Sequence, residues 1–408
     1  MIILQINSAY RYGSTGYIMA NISNAIEHAG WQSYVAYGNL HTPASTHEYK
    51  ISNTLQQKLS NICSRINGRH GFYDWVKTKK LIQWMEYVSP DIVHLHNIHG
   101  HYINIEILFN YLTSRQIPIV WTLHDCWSFT GRCAHYELAG CYQWQTSCQK
   151  CPNLKNYLPA AVDRSKSNFS RKKHIFTTPE NMFLVPCSKW LKKEIEKSFF
   201  GKKYPIRVIN NGIDLKIFQR TTSKPSILPE AIKNQFIILG FAAKWLQPEN
   251  LSKTIWFLEH LDDNCVLVLL GAKTIPESLA SCAKLYAIPY VASQKQLALY
   301  YSEANIMANV TLEDTLPTVN MEALACGTPV VTYDSGGSAE IISPETGIVA
   351  EKGNIAAMLE ACNFIKNNPG YFSPEKCRQR AESHFDAQKQ FSYYIDIYKE
   401  ILNLKPQI

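Results

Sequence analysis

What this chain of 408 residues lacks narrows its class first. No uninterrupted apolar run approaches the roughly 18 residues that a bilayer span requires. The N-terminus has no basic start followed by a long apolar core and a cleavage site, so the protein is expected in the cytoplasm. Internal repeats and low-complexity tracts are missing, as are helix-turn-helix, finger-array and RNA-binding signatures. A nucleic-acid partner is therefore not expected, although the formal net charge is +8. Closely paired cysteines are also scarce. Most of the 12 cysteines stand singly within apolar or helical patterns, as reduced cytosolic cysteines do.

Acidic residues are short in one half only. Residues 1–205 hold 23 Lys and Arg against 12 Asp and Glu, whereas the remainder holds 18 against 21. In the basic half, Lys189 to Lys203 and Arg65 to Trp84 set Lys and Arg beside Trp, Ile, Leu and Phe. That mixture suits an anionic membrane surface or a lipid pyrophosphate, and equally a solvated helical face. A chain of 408 residues is too long for one core and suits two domains. Short apolar runs alternate with helical patterns in both halves. IILQI, SYVAY, IVHLH, IPIVWTL, MFLVP and IRVIN come first, then FIILGF, CVLVLL, IPYV, NIMANV and PVVTY. This is the alternation of βαβ units, and it predicts an α/β protein of two Rossmann-like domains with the change-over near Tyr204.

The stretch LEDTLPTVNMEALACGTPVV, Leu312 to Val331, carries the most chemistry. Asp314 and Glu322 flank a helix started near Pro317 and stopped by Gly327. The main-chain N–H groups of Thr318, Val319 and Asn320 at such a helix start suit a pyrophosphate or sugar hydroxyls, and Glu322 one turn in suits a ribose diol. In open α/β sheets ligands bind beyond the carboxyl ends of the strands. That rule selects Gly13, Ser14, Thr15 and Gly16 after the first strand, His96 and Asn97 after IVHL, and His124 after IVWTL. A plain turn accounts for the glycine loop nearly as well, and a bonded core histidine for His124. The run His94, His96, His99, His101 is not spaced like a zinc site and reads as a cleft wall.

The Leu312–Val331 segment resembles the donor-site signature of the retaining glycosyltransferases of family 4, which have the GT-B fold. The opening QINSAYRYGSTGYIMANISNAIEHAG, the stretches PDIVHLHNIHGHYINIEILFNYL and VWTLHDCWSFTGRCAHYELAGCYQW, and the later VINNGIDLKIF resemble the branch that builds bacterial exopolysaccharide, capsule, colanic acid and O-antigen units. The resemblance implies an acceptor-side domain at 1–203, a nucleotide-sugar donor domain at 204–385, and a final helix at 386–408 packed back on the first. It implies an interdomain cleft in which a sugar passes, with retention, from a nucleotide-diphosphate sugar to a lipid-linked oligosaccharide at the inner face of the cell membrane. No cofactor is required for that catalysis. His124 would orient the sugar, Asp314 position it, and Glu322 hold the ribose. Relatives grip the diphosphate with an Arg and a Lys five residues later. Here Lys244 occupies the first position but Glu249 the second, with Lys253 as a displaced substitute, and Asp314 replaces the usual Glu. An epimerase of the same architecture and a non-catalytic nucleotide-sugar or glycan-binding protein are the alternatives.

One cysteine group departs from the single pattern. Cys133, Cys141, Cys148 and Cys151 fall within one polar loop and end in CxxC before a proline. The spacing predicts a structural zinc site, with Cys126 and His135 as reserve ligands; packing thiols and a redox pair are the other readings.

Overall fold

The computed structural model describes residues 1–38, 45–156, 158–221, 226–291 and 293–403. The chain divides into two compact units, Met1–Asn210 with Gln388–Ile408, and Asn211–Ala387.

In the first unit, strands β1 (Ile2–Asn7), β2 (Gln32–Tyr37), β3 (Glu48–Lys50), β4 (Ile92–Leu95), β5 (Ile119–Leu123) and β6 (Met182–Pro186) form one sheet in the order β3-β2-β1-β4-β5-β6. All of its pairings are parallel. β4, β5 and β6 are buried along their whole length, because helices cover both faces of a parallel sheet. Their sequences are accordingly near-continuous apolar runs. β3 has the polar sequence EYK and pairs only with β2 at the sheet edge, so its sequence carries no apolar run by which to find it.

The second unit repeats the architecture. Strands β7 (Phe236–Phe241), β8 (Cys265–Leu270), β9 (Leu285–Ile288), β10 (Ile306–Asn309), β11 (Val330–Tyr333) and β12 (Gly347–Ala350) take the order β12-β11-β10-β7-β8-β9. Both sheets are therefore doubly wound with the same Rossmann order, and the winding reverses between β1 and β4 in one and between β7 and β10 in the other. β9 lies on LYAI, just before the expected IPYV, and β12 was not expected. IRVIN forms no strand of its own. Ile206 bridges Leu184, with Arg207 N–H donating to the Leu184 carbonyl, which carries the first unit a few residues past Tyr204.

The helix Ala387–Asn403 begins at the unit boundary, and its later turns belong to the first unit. There the Tyr398 hydroxyl lies 2.6 Å from His94 Nδ1, and the Tyr394 hydroxyl 2.8 Å from the Thr122 Oγ1. All four side chains are buried, so these bonds satisfy polar groups that would otherwise be orphaned between sheet and helix.

Candidate functional site

In the second unit, the switch point between β7 and β10 carries the loop that holds the paired acids. Asn309 ends β10 and its side-chain carbonyl accepts from Thr311 N–H at 3.1 Å, turning the chain out of the sheet. Asp314 Oδ1 accepts from Leu316 N–H at 3.2 Å, and its main-chain carbonyl accepts from Gly337 N–H at 3.1 Å. Gly336 has φ +54°, and a Cβ there would fall 1.8 Å from the Asp314 carbonyl oxygen. The turn after β11 is thus pressed onto the Asp314 loop, an approach only glycine permits.

The helix that follows spans Thr318–Ala325, with Pro317 as its N-cap rather than its first helical residue. Of the three amides expected to face a ligand, that of Asn320 is engaged instead, donating to the Pro317 carbonyl at 3.2 Å. The Asn320 side chain is buried and accepts from Asn309 Nδ2 at 2.9 Å, so this residue braces the loop. Thr318 and Val319 stay partly exposed at the helix start.

Glu322 is partly buried one turn in, and its Oε2 accepts from the Tyr301 hydroxyl at 3.0 Å. Burial pushes the Glu322 carboxyl up to about 7, against the hydrogen bonds from Tyr301 and Thr318 that favour the anion. Tyr301 lies on the helix Gln294–Glu303, whose sequence gives no sign of a site.

Lys244 sits on a single helical turn, Ala242–Trp245, after β7. That turn is bolted down by buried Trp245, whose Nε1 donates to the Ala308 carbonyl at 3.0 Å, and by Asn250 Nδ2, which donates to the Lys244 carbonyl at 3.0 Å. The Lys244 side chain is left partly exposed. Glu249 is exposed in the first turn of Pro248–His260, where an acid is favourable at a helix N-terminus. Lys253, one turn further, brings Nζ within 3.2 Å of the position a Cβ would take on Gly353, beside Leu312. Its ammonium therefore lies close to the start of the Asp314 loop.

In the first unit, Asn7 at the end of β1 gathers the other switch point. Its Nδ2 donates to the Ala9 carbonyl at 2.8 Å and lies 3.4 Å from Thr15 Oγ1, while its Oδ1 accepts from the N–H groups of Ser8 and Asn97. The helix Gly13–His28 starts here, with Gly13 at φ +63° and the Gly16 carbonyl accepting from Arg11 N–H at 3.1 Å. Ser14 lies exposed in that first turn. One buried residue thus brings together Asn97 and the glycine loop, which are far apart in sequence.

His96 is buried, which corrects its expected place on a cleft wall. Its Nδ1 lies 3.1 Å from His124 Nε2, and its Nε2 lies 3.1 Å from Gln5 Oε1. Gln5 Nε2 donates to the Met19 carbonyl and to Ser23 Oγ, which fixes the amide so that its oxygen faces His96. A carbonyl oxygen can only accept, so His96 carries its proton on Nε2 and presents a bare Nδ1. His124 then donates from Nε2, leaving its own Nδ1 as the accepting nitrogen. Burial and the neighbouring rings hold His96 well below the usual imidazole range, His94 at about 3 and His124 at about 4, so the relay is of neutral rings. Although burial alone would raise it, the Asp125 carboxyl is held at about 2, chiefly by His99, whose Nε2 is 2.8 Å away. His124 and Asp125 are both partly exposed.

The helix Thr54–Asn67 is inside out. It buries Ser60 and Ser64 and presents Leu55, Leu59, Ile62 and Ile66 to solvent, at 67, 56, 53 and 62% exposure. Trp75 and Val76 at the next helix start are also exposed, with Lys58, Arg65 and Arg69 nearby in sequence. Among the described residues no helix is long and apolar enough to cross a membrane.

Two family models divide the chain between them. Glycosyltransferase Family 4 matches residues 16–217, and Glycosyl transferases group 1 matches residues 220–384. The chain is thus built of two glycosyltransferase domains, one after the other. A putative colanic acid biosynthesis glycosyl transferase of Escherichia coli K12 is 23% identical over 327 residues, 77% of each protein. A capsular polysaccharide biosynthesis glycosyltransferase of Staphylococcus aureus is 23% identical over 220 residues, 50% of this chain and 58% of that protein. Among solved structures, sucrose-phosphate synthase from Thermosynechococcus elongatus superposes with a TM-score of 0.71 at 16% identity, covering 99% of this chain and all of the other (100%). Anabaena HepE in complex with UDP superposes at 0.67 and 14% identity, covering 98% and 100%. These likenesses establish the GT-B fold.

Proposed function

We propose that this glycosyltransferase moves a hexose, with retention, from a nucleotide-diphosphate sugar to a hydroxyl of a lipid-linked oligosaccharide in bacterial surface-polysaccharide synthesis. The carrying observation is the second switch point, where Lys244 and Lys253 on the helical segments after β7, and Asp314 and Glu322 on the loop and helix after β10, stand with Tyr301 bonded to Glu322. Lysine ammonium groups and the helix start at Thr318 suit a diphosphate, and Glu322 suits a ribose diol. The UDP bound to HepE, itself a protein of this fold, supports a nucleotide donor.

The transfer is read as a front-face displacement, in which no sugar becomes bound to the enzyme. The glycosidic carbon–oxygen bond to the diphosphate breaks, the acceptor oxygen bonds to the same face, and the departing diphosphate oxygen takes the acceptor proton. Lys244 and Lys253 would stabilise the charge that develops on that oxygen. His124, partly exposed just after β5, suits a sugar hydroxyl.

The outward apolar face of Thr54–Asn67 and its basic neighbours support a lipid-linked acceptor, reached from the cytoplasmic side of an anionic membrane. The test is a panel of UDP- and GDP-sugars incubated with and without lipid-linked glycans. Release of nucleoside diphosphate that depends on acceptor, with an α-linked product from an α-linked donor, is expected. Conversion of the donor sugar without acceptor would instead identify an epimerase, and binding without turnover a carrier.

A further inference from the structure

From Thr130 to Arg164 the described residues hold one short 3-10 turn, Gln143–Gln145, so this loop has little regular structure to hold it. Cys133, Cys141, Cys148 and Cys151 nevertheless converge, lining one cavity together with Arg132 and Trp144. Cys126 and His135, the reserve ligands, do not line it. The geometry points to a structural zinc site closed by these four thiols, independent of the transfer chemistry.

Three features carry this. The four thiols, from separate points of the loop, face the same cavity. A tetrahedral site with Zn–S of about 2.3 Å needs its sulfurs about 3.8 Å apart. Next, N–H groups are aimed at sulfur. Gly131 N–H donates to Cys148 Sγ at 3.2 Å, and Asn153 Nδ2 points at Cys133 Sγ from 4.0 Å. Such donors stabilise thiolates more than neutral thiols. Finally, two buried cations lie around the loop. The Lys172 ammonium donates to the carbonyls of Trp127 and Thr130, and Arg132 to those of Leu154 and Leu158. Asp125 is committed to His99, and Asp163 to the N–H groups of Cys151 and Ser165. Binding would release four thiol protons, and the resulting tetrathiolate zinc carries two negative charges to face Lys172 and Arg132.

Among the described residues no three His, Cys, Asp or Glu groups yet stand at metal-binding spacing. The ion would therefore draw the four thiols together across the cavity they share. Closure would fix the loop that begins at Trp127, whose carbonyl Lys172 already holds.

The full chain, made without a metal-affinity tag, should contain about one zinc per molecule by elemental analysis. Cobalt in its place should give the sulfur-to-metal absorption of a tetrahedral thiolate site. Cys148→Ser and Cys151→Ser should each weaken zinc retention against a chelator about tenfold or more, whereas Cys63→Ser should not. If the variants fail to fold, the cobalt spectrum of the wild-type chain decides alone. A folded, metal-free protein whose four thiols react freely with a disulfide reagent, or are found as disulfides, overturns the proposal.

Discussion

At the residue scale, the two acids at the donor-side loop are not equivalent. Asp314 is held by its own loop, while Glu322 sits in a pocket that favours its neutral form. A ribose diol needs an acceptor, so binding should release a proton from Glu322 near neutrality, and donor affinity should rise as pH increases through about 7. Tyr301→Phe removes a bond that favours the anion, so it should move that profile to higher pH; an unmoved profile would take Glu322 away from the donor. Glu322→Ala should cost roughly 1.5 to 3 kcal/mol per lost charged hydrogen bond, read as a higher donor Kd and slower turnover. Lys244→Ala should lower donor affinity more than Lys253→Ala if Lys244 is the diphosphate contact of the proposed site. Competitive titration of nucleoside diphosphate ranks them, and the reverse order would make Lys253 the main contact. Gln5→Leu should free the His96 tautomer without touching substrate. Nitrogen chemical shifts of the His124 ring then report a mixture of tautomers, where the wild type shows the Nε2-protonated form alone.

At the scale of elements, the helix Thr54–Asn67 shows how a pattern can mislead. Its apolar residues recur at helical spacing, which ordinarily marks a face turned to the core. Here that face is exposed and the small polar Ser60 and Ser64 are turned inward. Replacing Leu59 and Ile62 with Ser should leave thermal stability nearly unchanged, since those side chains bury little on folding. Sedimentation with anionic vesicles should fall, and transfer to short soluble acceptors should persist. Neutralising Lys192, Lys193, Lys202 and Lys203 should weaken the same binding by about 1 kcal/mol per residue near the surface. Vesicle binding indifferent to both sets of changes and to salt would remove the membrane reading.

At the scale of the whole molecule, the buried histidines of the first unit tie stability to acid. His94, His96 and His124 have folded values below the ordinary 6.5 because burial disfavours their charged form. The unfolded chain then binds more protons between about pH 3 and 6.5, so stability is full above that window and is lost as pH falls through it. Urea midpoints should drop across this range, and a midpoint flat from pH 7 to 4.5 would mean the rings are solvated. The final helix takes part, since Tyr398 bonds His94. Truncation before Tyr394 should expose these polar groups and destabilise the first unit.

The sequence by itself determined the two-fold βαβ architecture, because strands buried on both faces must be apolar runs and the helices between them must be amphipathic. It also offered Asp314 and Glu322 as candidates from the pattern around a helix start, while Lys244 came only from the family resemblance. β3 and Tyr301 were illegible in it, as the edge strand EYK carries no apolar run and a buried tyrosine looks the same whether it packs or donates, while β12 is a run of only four residues, GIVA. Only the tertiary structure decided that His96 lies beneath His124 instead of lining a wall, and that Asn320 braces a loop. It likewise decided that four cysteines spread over a loop face one cavity. These depend on contacts between residues far apart in the chain, which local spacing does not encode.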